Sequence, residues 1–135
     1  MAKTPVTLEV EGFESRDVMM VTYAFNQATD KEGQMTGIPR GGKISIRVKA
    51  MNDGNPELLH WMIQQDMHKN GKIAFLNTTE NKKMKDIEFT DAYCVDYRET
   101  WEDKEVSGGM GHFEDIVISC REIKNGPVTY TNDWA

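Results

Sequence analysis

A two-residue hydrophobic period runs through most of this chain, and one short helical stretch interrupts it. The clearest instance is KISIRVKA (43–50), in which Ile44, Ile46 and Val48 alternate with Lys43, Ser45, Arg47 and Lys49. Strand side chains point to alternate faces, so this run has one apolar face and one polar face. VTLEV (6–10) repeats the pattern with Val6, Leu8 and Val10. Residues 18–30 read as a longer strand, with Val21, Tyr23 and Phe25 on the core side and Thr22, Ala24 and Asn26 opposite. Residues 71–80, 86–101 and 112–126 complete the set. In 86–101, Ile87, Phe89, Tyr93, Val95, Tyr97 and Trp101 are counted in one phase. Asp91 breaks that phase, which predicts a bulge or a functional face.

The interruption is NPELLHWMIQQDMHKNG (55–71). Asn55 can cap a helix near 56–69, with Pro56 and Glu57 in its first turn and Gly71 as its stop. Leu58, Leu59, Met62, Ile63 and Met67 fall on one side, and Glu57, His60, Gln64 and His68 on the other. Two glycine-rich stretches, 31–42 and 102–111, read as loops. The first is long for a hairpin connection, and loops of that length usually carry function or are disordered.

Six or seven strands joined by turns predict a largely antiparallel sheet. Few, long strands curl into a barrel because an open sheet leaves edges unpaired. The helix then covers one end or flank. The expected fold is mainly β: an antiparallel barrel of six to seven strands with one flanking α-helix, in a single domain over residues 1–135.

The chain has 135 residues, 39% of them hydrophobic and 28% charged, which suits one folded domain. With 16 basic and 22 acidic residues the net charge is −6. That balance argues against nucleic acid as a partner, since phosphate binding needs a basic footprint. The first ten residues lack a signal-like apolar run, and no stretch reaches membrane-spanning length, so synthesis in the cytoplasm and no membrane partner are expected. Cys94 and Cys120 each sit within a strand-like run and read as buried free thiols; a disulfide requires those strands to be neighbours.

Motifs for chemistry are weak. His60, His68 and His112 lack metal-ligand spacing. SGGMG (107–111) lacks the GK[ST] ending of a phosphate loop. The sequon at 77–79 has no meaning without secretion through a glycosylating route. Glu88 with Asp96, or Asp91 with Asp115, could do acid–base work, but carboxylates are common on exposed sheet faces. No nucleophile motif is present. The residues therefore predict no catalysis, no cofactor and no metal. The alternatives are a monomeric barrel binding a small ligand and, below it, a hydrolase using paired carboxylates.

The order of segments adds a resemblance. The strand pair, the Gly-rich loop, GGKISIRVKA, ELLHWM, KNGKIAFLN, MKDIEFTDAYCVDYRETW, FEDIVISCREIKNG and NDW together resemble the tube protein of type VI secretion systems, the Hcp family, and its short TssD branch. The resemblance runs over about residues 6–134. It implies a β-barrel with a flanking helix, similar to phage tail-tube proteins. It implies homohexameric rings that stack into a tube within a contractile sheath, with spike and baseplate proteins as further partners. It also implies effector proteins in the lumen and export through the apparatus without a signal peptide. Within that picture Gly33, Gln34, Met35, Thr36, Gly37, Ile38, Pro39 and Arg40 are candidates for inter-subunit contact. Thr22, Ala24, Asn26, Lys43, Ser45, Arg47 and Lys49 are candidates for the lumen, where small side chains leave room and charged ones hold water.

Overall fold

A computed structural model of the chain describes residues 5–51, 53–77, 82–103, 111–132 and 134. In chain order the elements are β1 (Val6–Val10), β2 (Arg16–Tyr23), β3 (Lys43–Lys49), α1 (Glu57–Ile63), β4 (His68–Asn77), β5 (Lys82–Trp101), β6 (His112–Asn125) and β7 (Val128–Thr131). The sheet order is β3-β2-β1-β4-β5-β6-β7, and β3 also pairs with β6. That last pairing, from Lys43 opposite Ser119 to Lys49 opposite Phe113, closes six antiparallel strands into a barrel. Closure removes the edges that so small an open sheet would expose. The C-terminal half of β6 runs past β3 and takes β7 as its partner there.

The alternation expected for β1 and β3 is realised. Leu8, Val10, Ile44, Ile46 and Val48 are buried. They meet Ile73 from β4, Ile87 and Phe89 from β5, and Ile116 and Ile118 from β6. These side chains fill the bore. Each such buried side chain contributes about 1.5–3 kcal/mol relative to exposure.

Three expectations are corrected. The strand expected over 18–30 ends at Tyr23, and the following residues leave the barrel. In β5, one bulge places Thr90 and Asp91 against Asn70, and the Asp91 N–H donates to Asn70 Oδ1 at 2.9 Å. Asp91 has φ 51°, a left-handed conformation that Asp tolerates better than most residues. The bulge flips the phase, so Ala92 and Cys94 turn inward while Val95 is left exposed. A second irregularity between Cys94 and Asp96 follows, and Tyr97 packs against the core again.

The helix is shorter than expected: it ends at Ile63, a turn with Asp66 at φ 62° follows, and β4 takes the chain from His68. His68 and Lys69 pair with Tyr93 and Ala92, and Gly71 pairs with Val10 and Phe89. Gly71 therefore marks a crowded strand crossing, not a helix stop. A Cβ there would sit 2.4 Å from the Glu9 carbonyl oxygen. Asn55 Oδ1 accepts the Glu57 N–H at 3.1 Å. The buried residues of α1 are Leu58 and Trp61, whereas Leu59 and Ile63 are exposed. Trp61 meets Phe13 edge-on at 5.9 Å, and its indole N–H donates to the Met67 carbonyl at 3.0 Å. The helix packs against β5, while Trp61 ties it to the β1–β2 turn.

Cys94 and Cys120 are buried free thiols on neighbouring strands, but Cys120 faces Ala92 and Cys94 faces Ile118. Burial pushes both thiols up to about 12.

Candidate functional site: an arm and a wall face

Between β2 and β3 the chain leaves the barrel as an arm. Every residue from 24 to 40 is exposed. Asn26 and Arg40 exchange both backbone hydrogen bonds, at 3.0 and 2.7 Å, and Thr36 N–H donates to the Ala28 carbonyl at 2.8 Å. The tip is a tight turn. Asp30 Oδ1 accepts from the Glu32 and Gln34 amides at 3.0 and 2.9 Å, and Gly33 supplies the positive φ of 84°. Gly33 through Arg40 thus form the tip and the return limb. The sequence placed a loop at 31–42; the structure adds 24–30 as its outgoing limb. Met35 and Ile38 are 64% and 66% exposed, with no apolar cover among the described residues.

The second set of expected residues shares one face of the barrel. Thr22 lies opposite Ser45, and Ser45 lies opposite Val117. Met20, Arg47 and Asp115 form the next row, and Lys43 lies opposite Ser119. Cross-strand partners point the same way, so Thr22, Lys43, Ser45, Arg47 and Lys49 belong to the outer side of the β2–β3–β6 wall. Their neighbours Ile44, Ile46 and Val48 fill the inside. Ala24 and Asn26 stand at the arm's base, beside Lys43 and Ser119, around an open cavity of about 330 Å³ that Trp134 also lines.

The electrostatics of this face differ from a plain basic stripe. Arg47 Nε and Nη2 donate to the two Asp115 oxygens at 2.8 and 3.3 Å. The guanidinium lies 4.2 Å from the Phe113 ring centroid. The hydrogen bond to Asp115 holds the Arg47 guanidinium further above its ordinary value. The wall is therefore zwitterionic at its centre, with Lys43 and Lys49 at either end of β3.

The histidines do not converge. His60 is exposed on α1. His68 lies in β4, not the helix, with Nδ1 3.1 Å from Asp91 Oδ1, and His112 Nε2 lies 2.6 Å from Glu99 Oε2. Among the described residues no three His, Cys, Asp or Glu side chains gather to hold a metal ion. The acidic pairs dissolve as well. Asp91 bonds His68 and Arg121, Asp115 bonds Arg47, and Glu88 lies opposite Lys72 and Lys124. Residues 107–110 of SGGMG and most of the sequon fall outside the described residues.

Sequence reasoning missed a buried ion pair, Arg16 with Glu114. It also missed the role of Asn132, whose side chain donates to the Cys120 carbonyl at 2.8 Å. A charged residue beginning an apolar strand was the available hint for Arg16; nothing local marks its partner.

The comparisons agree with this architecture. The model of the family described as Hemolysin coregulated protein Hcp (TssD) matches residues 2–135. Hcp1 from Flavobacterium johnsoniae is 31% identical, with a TM-score of 0.84 over 94% of this chain and 98% of that one. Hcp1 from Salmonella typhimurium shares the fold at 14% identity and a TM-score of 0.69, over 93% and 90% of the two chains. A type VI secretion system effector from Yersinia pestis shares it at 12% and 0.68, over 94% and 99%. No curated protein matches the sequence. Among the described residues no helix is long and apolar enough to cross a membrane. With the family model matching residues 2–135 and its barrel shared with Hcp1, the chain belongs to the Hcp (TssD) family, the structural tube proteins, not enzymes, of type VI secretion.

Proposed function

We propose that the protein assembles as a closed ring of six copies, that rings stack into a tube, and that the tube carries effector proteins in its lumen. The observation that supports this best is the arm. Seventeen consecutive exposed residues, with Met35 and Ile38 bare, give a lone barrel nothing. A neighbouring subunit that buried them would gain from it. A head-to-tail contact closes into a ring when its rotation permits, and the same chain can then stack along the axis.

The bore of each barrel is filled, so cargo space must lie between subunits. The outer β2–β3–β6 wall, with Thr22, Lys43, Ser45, Arg47 and Lys49, and the arm's base beside it, with Ala24 and Asn26, are assigned to that space. Small side chains leave it open, and its charges keep it wet. Sheath, spike and baseplate proteins are the further partners, and export through the apparatus needs no signal peptide.

Light scattering behind size exclusion tests the assembly. A ring weighs about six times the 15.4 kDa of the chain. A monomer at every concentration overturns the reading. Deleting residues 33–39, GQMTGIP, is expected to leave the barrel folded, since surface loops tolerate change, and to weaken ring or tube formation. Unchanged assembly removes the arm's role.

A further inference from the structure

The arm's internal hydrogen bonds hold its two limbs to each other. They do not fix the arm to the barrel. That link comes from the other end of the chain. The Gly41 amide donates to Tyr130 Oη at 3.2 Å, and the Tyr130 hydroxyl donates to Asn132 Oδ1 at 2.8 Å. Asn132 Nδ2 then donates to the Cys120 carbonyl at 2.8 Å and to the Gly41 carbonyl at 3.4 Å. The Asn132 backbone is held in turn, its amide donating to the Arg121 carbonyl at 2.7 Å. The Tyr130 ring lies 4.9 Å from Phe25, on the outgoing limb. One residue pair thus touches both limbs and the β3–β6 seam.

We propose that Tyr130 and Asn132 act as a clasp that sets the direction in which the arm leaves the barrel. They are positioning residues for whatever the arm touches. The return limb enters β3 through Gly41 and Gly42. Gly42 is already held on β6, its carbonyl accepting from the Cys120 amide at 2.7 Å, so the remaining swing is at Gly41, a free hinge unless something locks it. Both glycines are required by the lock. A Cβ on Gly41 would lie 2.2 Å from the Phe25 ring, and one on Gly42, at φ +102°, would lie 2.2 Å from Asn132 Nδ2. The side chain at 132 must donate to carbonyls from two segments and accept from a phenol at once. Asn can do all three; Asp, Leu and Ser cannot. The closing Asn-Asp-Trp motif thereby gains a role for its first member.

Distances between spin labels on Met35→Cys, at the exposed arm tip, and Glu88→Cys, on the outside of β5, test the clasp. The labelled chain is diluted in unlabelled chain so that pairs within one subunit are read, and the buried native thiols take no label in the fold. The variants are Tyr130→Phe, which keeps the ring against Phe25, and Asn132→Leu. The tip-to-barrel distance is expected to shift or broaden in both, while amides of β3 and of β6 up to Ile118 keep their hydrogen-exchange protection. Gly41→Ala, which displaces Phe25, is expected to act the same way. An unchanged distance in all three variants overturns the proposal. Barrel amides that lose protection overturn it too, since the residues then merely hold the barrel. A loss of assembly in the clasp variants is the further expectation, and it rests on the reading that the arm contacts a neighbour. If deletion of 33–39 leaves assembly intact, that reading fails, and the distance result still decides the clasp.

Discussion

Arg16, at the start of β2, and Glu114, near the start of β6, meet as an ion pair sealed inside one end of the barrel, 98 positions apart. The Arg16 Nη2 also donates to the Lys49 carbonyl at 2.8 Å, and the Tyr97 hydroxyl donates to Glu114 Oε2 at 2.6 Å. Strands β2, β3, β5 and β6 are thereby tied at the point where the barrel closes. Burial, with the Glu114 hydrogen bond second, pushes the Tyr97 phenol far up.

Removing one partner leaves the other charge buried. Nε and Nη1 of Arg16 reach no acceptor among the described residues, so Glu114 is the only anion that compensates it there. Glu114→Leu alone is expected to cost about 3–5 kcal/mol in urea unfolding. Adding Arg16→Met is expected to recover much of that loss. Additive single effects contradict the pairing.

Trp61 and Ile63 share one short helix and should respond oppositely. Trp61 is 1% exposed and Ile63 73%. Trp61→Ala is expected to cost about 3–5 kcal/mol, as large core truncations do. Ile63→Ala should stay within about 0.5 kcal/mol in the isolated subunit. Thermal melts of the two variants check the helix orientation.

The two thiols make stability fall in alkali. Each is held at about 12 in the fold, against 9.0 unperturbed, because burial disfavours the thiolate. The unfolded chain therefore releases these protons first. The contribution is complete below pH 9 and is lost as pH rises from about 9 towards 12, by about 1.4 kcal/mol per thiol per unit. Urea midpoints across that range should show the slope, and Cys94→Ala with Cys120→Ala should flatten it, leaving the part due to Tyr97. Thiol reagents should react only as the barrel unfolds.

Bulky side chains on the wall face probe the lumen assignment. Ala24→Trp and Ser45→Gln sit on outward positions, so the barrel and the rings are expected to survive. Co-purification of effectors with the rings should drop. Normal cargo binding by both variants places the lumen elsewhere.

Much of the fold was legible because alternation is a local property. KISIRVK needed only its own seven residues to declare an inward and an outward face, and the outward set does form one wall. Asp91 announced its bulge by breaking the count. The count itself failed just beyond that point. One inserted residue flips the side chains up to the second irregularity between Cys94 and Asp96, so Val95, read as core, is exposed and Cys94 is buried, while Tyr97 returns to the core. The helix face failed for a related reason. Leu59 and Ile63 fit a helical stripe on paper, but the helix turns Leu58 and Trp61 inward, against β5 and Phe13.

The sequence by itself determined the β period, the single helix, the turn glycines and, through the order of its segments, the family. Tertiary structure decided what depends on residues far apart meeting: closure through β3 and β6, the burial of Arg16 against Glu114, and the seating of Gly41 against Tyr130 and Asn132. The placing of His68 through Gly71 in β4 belongs with these, since that strand gains two partners. Local preference costs a fraction of a kcal/mol per residue, whereas closing a barrel pairs and buries whole strands at once. Where the two disagreed, closure prevailed.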